Sequence, residues 1–114
     1  MNTSAALESL KALAQEHRLA LYRLLVQAGS AGMPVGALGA RLGLPGATLS
    51  NHLNVLRAAG LVRDVREGRV IRCRADYARM DALLAYLTEN CCAGDASACA
   101  PAVVCAPTPR RKSR

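Results

Sequence analysis

The chain has 114 residues, a length that sets one domain with a modest core. Hydrophobic residues make up 52%, with no Trp and no Phe, so the core is built from Leu, Ala, Val and Ile and the chain is not disordered as a whole. The net charge of +7 favours a polyanionic partner, although Arg110, Arg111, Lys112 and Arg114 concentrate much of it in the tail. No run of 18 apolar residues is long enough to cross a membrane, and the N-terminus lacks the regions of a signal peptide, which predicts a cytoplasmic protein with reduced thiols.

In chain order, Leu7, Leu10 and Ala14 recur at spacings of three and four, predicting an amphipathic helix over residues 3–15 capped by Thr3 or Ser4. Leu21, Leu24, Leu25 and Ala28 form the stripe of a second helix over 16–27, closed by Gly29. Residues 29–34 read as a loop. A short helix over 35–42, a tight turn at 43–46 and a further helix over 47–59 follow, the last with Leu49, Leu53 and Leu56 inward and Gly60 as its stop. The period then changes. Residues 61–66 and 69–74 read as two strands around Glu67-Gly68, with Ile71, Cys73 and Ala75 on one face and Val70, Arg72 and Arg74 on the other. A last helix starts at Asp76, with Tyr77, Met80, Leu84, Leu87 and Cys91 as its stripe. Residues 1–92 thus form one folded domain, and 93–114 a flexible, cysteine-containing basic tail.

Two short helices joined by a glycine-containing turn make a helix-turn-helix, whose second helix enters the major groove. With its leucines inward, Ala47, Asn51 and Asn54 point away from the core, and Thr48 and Ser50 flank them. This polar, uncharged face suits base reading, with Asn51 matched to adenine and Thr48 and Ser50 to bases or phosphates. His52 lies nearer the core edge and serves either DNA or an interhelical hydrogen bond. Arg63, Arg66, Arg69, Arg72 and Arg74 crowd the hairpin, where Arg66, Arg69 and Arg72 are candidates to follow the phosphate backbone.

Ser50-Asn51-His52-Leu53, Leu56, Ala59-Gly60-Leu61-Val62 and Arg66-Glu67-Gly68-Arg69 together resemble the motif of the ArsR/SmtB family of metal-responsive winged-helix repressors, over roughly residues 5–92. The resemblance implies a mostly α winged helix-turn-helix of about five helices and a β-hairpin wing. It also implies a homodimer joined by its first and last helices, reading inverted half-sites in double-stranded operator DNA.

Cys91, Cys92, Cys99 and Cys105 cluster near the C-terminus. Thiolates select thiophilic ions. Cys91 and Cys92 are about 100° apart around a helix, so the last turn must fray for both sulfurs to meet one atom. Cys99 is near enough in sequence to fold back. Three sulfurs suit As(III) or Sb(III), whereas zinc takes four ligands. The run from Ala85 to Cys92 resembles the last helix of arsenite-responsive family members, which bind through two adjacent cysteines and a third downstream. That likeness assigns the role to Cys91, Cys92 and Cys99. Cys105 is a spare ligand, a substitute for Cys99, or without a role. Cys73 alternates with Ile71 and reads as a buried small apolar residue. The third helix has no cysteine pair, and the last helix, although it carries Asp76 and Asp81, lacks the histidines of the family's zinc-sensing site. Nothing in the chain suggests an enzyme. The same thiols also fit a redox-responsive repressor of this fold, or a thiol-rich metal-binding protein without a specific operator.

Overall fold

The computed structural model describes residues 1–94. Five helices and a three-stranded antiparallel sheet run in the order α1 (Thr3–Leu13), α2 (Glu16–Ala28), β1 (Met33–Pro34), α3 (Val35–Leu42), α4 (Gly46–Ala58), β2 (Val62–Glu67), β3 (Val70–Ala75) and α5 (Tyr77–Leu87), followed by a short 3-10 turn at Cys91–Gly94. The winged helix-turn-helix read from the sequence is therefore present. Leu21, Leu25, Leu38, Leu53, Leu56 and Leu61, all essentially inaccessible, bring α2, α3, α4 and the start of the wing onto one core.

α1, α2 and α5 start on side-chain caps that occupy otherwise unpaired backbone donors. Asn2, not Thr3 or Ser4, caps α1, its Oδ1 accepting from the Ala5 amide at 2.8 Å. Gln15 caps α2 by accepting from Arg18 at 2.9 Å. The Arg18 side chain donates back to the Ala12 carbonyl at 2.6 Å, so the corner between α1 and α2 is closed from both sides.

Asp76 caps α5 by accepting from the Arg79 amide at 3.1 Å, and it also pairs with Arg63 at 2.9 Å. Burial works to raise the Asp76 carboxyl, but the Arg79 amide and the Arg63 guanidinium outweigh it and hold the group below the ordinary carboxylate range. A depressed carboxyl contributes stability above its unfolded-state value and loses it as pH falls through the folded-state value. Asp76→Ala is accordingly expected to destabilise the domain by about 1 kcal/mol at neutral pH. The deficit should start to shrink in melts below about pH 4, the unfolded carboxyl's value, and vanish only once pH has fallen through the lower folded-state value.

The sheet order is β1-β3-β2, with Met33 opposite Cys73, Val62 opposite Ala75 and Glu67 opposite Val70. The hairpin turn falls at Gly68-Arg69, one residue later than the sequence pattern indicated, with Gly68 in the left-handed region (φ 62°) that the tight turn requires. β1 lies in a stretch expected to be loop. Gly32 permits it: a Cβ there would fall 2.1 Å from the Cys73 carbonyl oxygen, so only glycine lets this strand approach β3.

Two apolar stripes point away from the core of the subunit. In α1 the buried residues are Ala6, Ser9 and Ala12, while Leu7 and Leu10 remain 48% and 38% exposed. In α5 only Leu83 is buried, and Leu84 and Leu87 are 52% and 53% exposed. Small residues allow α1 to lie close on its neighbours, which turns its leucines outward. The two helices touch one another, and the Thr3 and Tyr86 hydroxyls are hydrogen-bonded between them.

Candidate DNA-binding face and thiol turn

Leu49, Leu53 and Leu56 pin one face of α4 to the core and so fix what the other face presents. Ala47, Ser50, Asn51 and Asn54 are exposed, and Thr48 is half-buried at the flank. Asn51 makes no side-chain hydrogen bond among the described residues, which leaves both its oxygen and its nitrogen available. His52 instead lies against α2, its ring 5.7 Å from that of His17 and tilted by 39°. Desolvation, Arg18 and His17 all lower its pKa, which favours a neutral imidazole between the helices.

The wing sorts its arginines by partner. Arg66 and Arg69 are exposed near the hairpin tip and make no ion pair or side-chain hydrogen bond among the described residues. Arg72 is turned inward. Its Nε donates to the Ala31 carbonyl at 3.0 Å and a terminal nitrogen to the Gly32 carbonyl at 3.3 Å, with Glu67 3.9 Å away. It therefore holds the loop before β1, and the spacing that placed it beside Arg66 and Arg69 gave no sign of these bonds. Arg63 is likewise engaged by Asp76.

At the junction of α4 and the wing sits a group that the sequence did not indicate. Cys73 is fully buried, as expected, but not as a purely apolar residue. Its thiol donates to Asp64 Oδ1 at 3.4 Å and lies 3.7 Å from a terminal nitrogen of Arg57. Burial, followed by the Asp64 bond and charge, pushes this thiol up to about 11. A buried, protonated thiol is a poor nucleophile. Alkylation of the reduced protein at pH 8, followed by peptide mapping, should label Cys91 and Cys92 well before Cys73; equal labelling would mean that the wing opens readily.

The adjacent cysteines lie beyond α5, not within it. The helix ends at Leu87, where the Thr88 hydroxyl donates to the Leu84 carbonyl at 2.7 Å and Asn90 takes a positive φ of 58°. Cys91 and Cys92 then occupy the 3-10 turn, Cys92 in the left-handed region (φ 60°). This unwinding is what their meeting requires. The Cys92 thiol is raised by desolvation and then by the neighbouring Cys91 side chain. Both are half-buried. Among the described residues no group of three or more His, Cys, Asp or Glu is arranged to hold a metal ion; Cys99 and Cys105 lie outside them.

A recognition helix seated on the core, a polar outer face and a wing ending in two unpaired arginines define a winged helix-turn-helix DNA-binding protein. A helix-turn-helix domain family matches residues 13–65. The chain is similar over its folded part to an ArsR-like transcriptional regulator from Rhodococcus, at 32% identity and a TM-score of 0.64, covering 76% of this chain and 78% of that one. It is also similar to a homodimeric winged helix-turn-helix domain from Mycobacterium bovis described as a possible ArsR-family regulator, at 32% identity, a TM-score of 0.60 and coverage of 76% and 81%. HlyU from Vibrio cholerae shares 36% identity with a TM-score of 0.58 over 75% of this chain and 94% of its own. No curated protein matches. The chain belongs to the ArsR family of transcriptional regulators. Among the described residues, no helix is long and apolar enough to cross a membrane.

Proposed function

We propose that the protein is a cytoplasmic, homodimeric repressor that holds operator DNA and releases it when As(III), or Sb(III), is captured by Cys91, Cys92 and Cys99. The observation that carries this reading is the pair of adjacent cysteines, Cys91 and Cys92, in a turn directly after α5. Two soft donors side by side suit a thiophilic ion, and the third sulfur enters from the sequence. The exposed leucines of α1 and α5 support a dimer joined by those helices, as does the homodimeric neighbour. Capture at the end of α5 then acts where the two subunits meet, and a shift there changes the spacing of the two α4 helices. Asn51 reads a base, with Thr48 and Ser50 beside it, and Arg66 and Arg69 grip phosphates. His52 and Arg72 support the surface from behind. The protein regulates by binding, without catalysis.

A thiol-redox version of the switch is favoured by the same pair of neighbouring thiols, which are open to oxidation. One experiment separates the two. Reduced protein on labelled duplex is titrated with arsenite, and separately with peroxide. Release by arsenite supports the metalloid reading, and release by peroxide alone replaces it.

A further inference from the structure

Arg57 is basic and lies in the last turn of the recognition helix, next to the wing. Its partners lie within the protein. Nε donates to Asp64 Oδ1 of β2 at 3.0 Å, one terminal nitrogen lies 3.7 Å from the Cys73 sulfur of β3, and the other donates to Asn54 Oδ1 at 2.9 Å. All three guanidinium nitrogens are thus engaged within the protein. Asp64 and Cys73 face each other across the hairpin and are themselves hydrogen-bonded, so Arg57 closes a ring between α4 and both strands of the wing. A planar guanidinium suits this, because its donors are held in one fixed fork.

The consequence falls on Asn54. Arginine has donors only, so the Asn54 atom that meets it must be the carbonyl oxygen. The amide nitrogen, with two N–H groups, is then the end left for a partner, on an exposed residue one helical turn from Asn51 and on the same outward face. We infer that Asn54, its amide oriented by Arg57, meets the duplex through its nitrogen, delivering N–H groups to an acceptor oxygen, and that Arg57 is the residue that positions it. The acceptor is the keto edge of guanine or thymine, or a phosphate oxygen. Asn51 can turn either its oxygen or its nitrogen to the paired donor and acceptor of adenine, whereas the Asn54 oxygen is held toward Arg57 and its nitrogen faces the other way. The two asparagines of one helix face therefore ask for different chemistry.

The inference rests on the DNA-binding reading, and duplexes selected from a randomised library by the wild-type dimer supply the probe. Asn54→Ala should weaken binding by roughly 3- to 10-fold per half-site. Asn54→Asp keeps an oxygen for Arg57 but has no N–H, and it should bind no better than Asn54→Ala. Arg57→Gln should lose as much as Asn54→Ala, and the two changes together little more than either alone. The salt slope of Arg57→Gln should match the wild type. A keto-base partner shows as a relaxed base preference at one position per half-site, and a phosphate partner as an equal loss on every duplex. Several results overturn the inference: wild-type binding by Asn54→Asp, additive losses in the double variant, or a slope flattened by about 0.9 per half-site in Arg57→Gln, which would make Arg57 itself the phosphate contact. Failure of the wild type to select any sequence would instead remove the DNA reading, and this inference with it.

Discussion

Replacing Leu10 and Leu84 together by Asp is expected to leave a folded monomer that has lost about 10³-fold or more of its operator affinity. In one subunit these side chains are 38% and 52% exposed, so the substitution removes little packing and the melting temperature should stay near that of the wild type. In a dimer the same positions would sit between subunits. Burying Leu7, Leu10, Leu84 and Leu87 contributes roughly 1.5–3 kcal/mol for each side chain fully covered, and four facing carboxylates oppose it. Loss of operator affinity then follows from geometry. Two recognition helices held one helical turn apart bind two half-sites as one event, and a monomer has only one. Light scattering gives the mass and fluorescence anisotropy the affinity. A variant that remains dimeric and tightly bound would show that the subunits meet through another surface.

The same four leucines show what the sequence discloses and what it withholds. Their spacing identifies α1 and α5 as amphipathic, but periodicity reports an apolar face without saying which neighbour covers it. Ala6, Ser9 and Ala12 look unremarkable in sequence, yet they are the residues that face the core. The helix-turn-helix was legible because Leu49, Leu53 and Leu56 have no competing face and glycines bracket the helices. β1 was not legible: it is two residues long, includes Pro34 and exists only by pairing with β3, some forty positions away. Gly32 was the single local trace of it. For the site, residue type and spacing predicted an exposed Asn51, Arg66 and Arg69. They gave no sign of the internal partners of Arg57 and Arg72, which are backbone carbonyls and side chains brought close by tertiary folding. The cysteine pair was found by composition, whereas its unwound turn depends on Asn90 and Thr88, where the apolar stripe suggested continued helix.

Cys91→Ser and Cys92→Ser should each bind operator as the wild type does and no longer respond to arsenite, whereas the wild type should lose about 5–150-fold in affinity at saturation, a coupling of about 1–3 kcal/mol. Both side chains lie outside α5 and outside the core, so replacing sulfur by oxygen leaves the DNA-binding face intact. Cys99→Ser should also be unresponsive, while Cys73→Ser should still respond, because its thiol is buried and pushed up to about 11. The dependence on pH adds a test specific to the metalloid. Arsenite near neutral pH is the uncharged trihydroxide, and each thiol that attacks it forms one As–S bond while its proton leaves with a hydroxide as water. No net proton is released, so the raised thiol of Cys92 carries no penalty, and the arsenite midpoint should barely move between pH 6.5 and 8. A divalent cation must displace the thiol proton into solution, so its midpoint should sharpen by about tenfold per pH unit for each thiol bound. An arsenite midpoint as steep in pH as that of cadmium, or release that persists in both serine variants, would remove the three-sulfur site from the mechanism and leave the winged helix without its proposed signal.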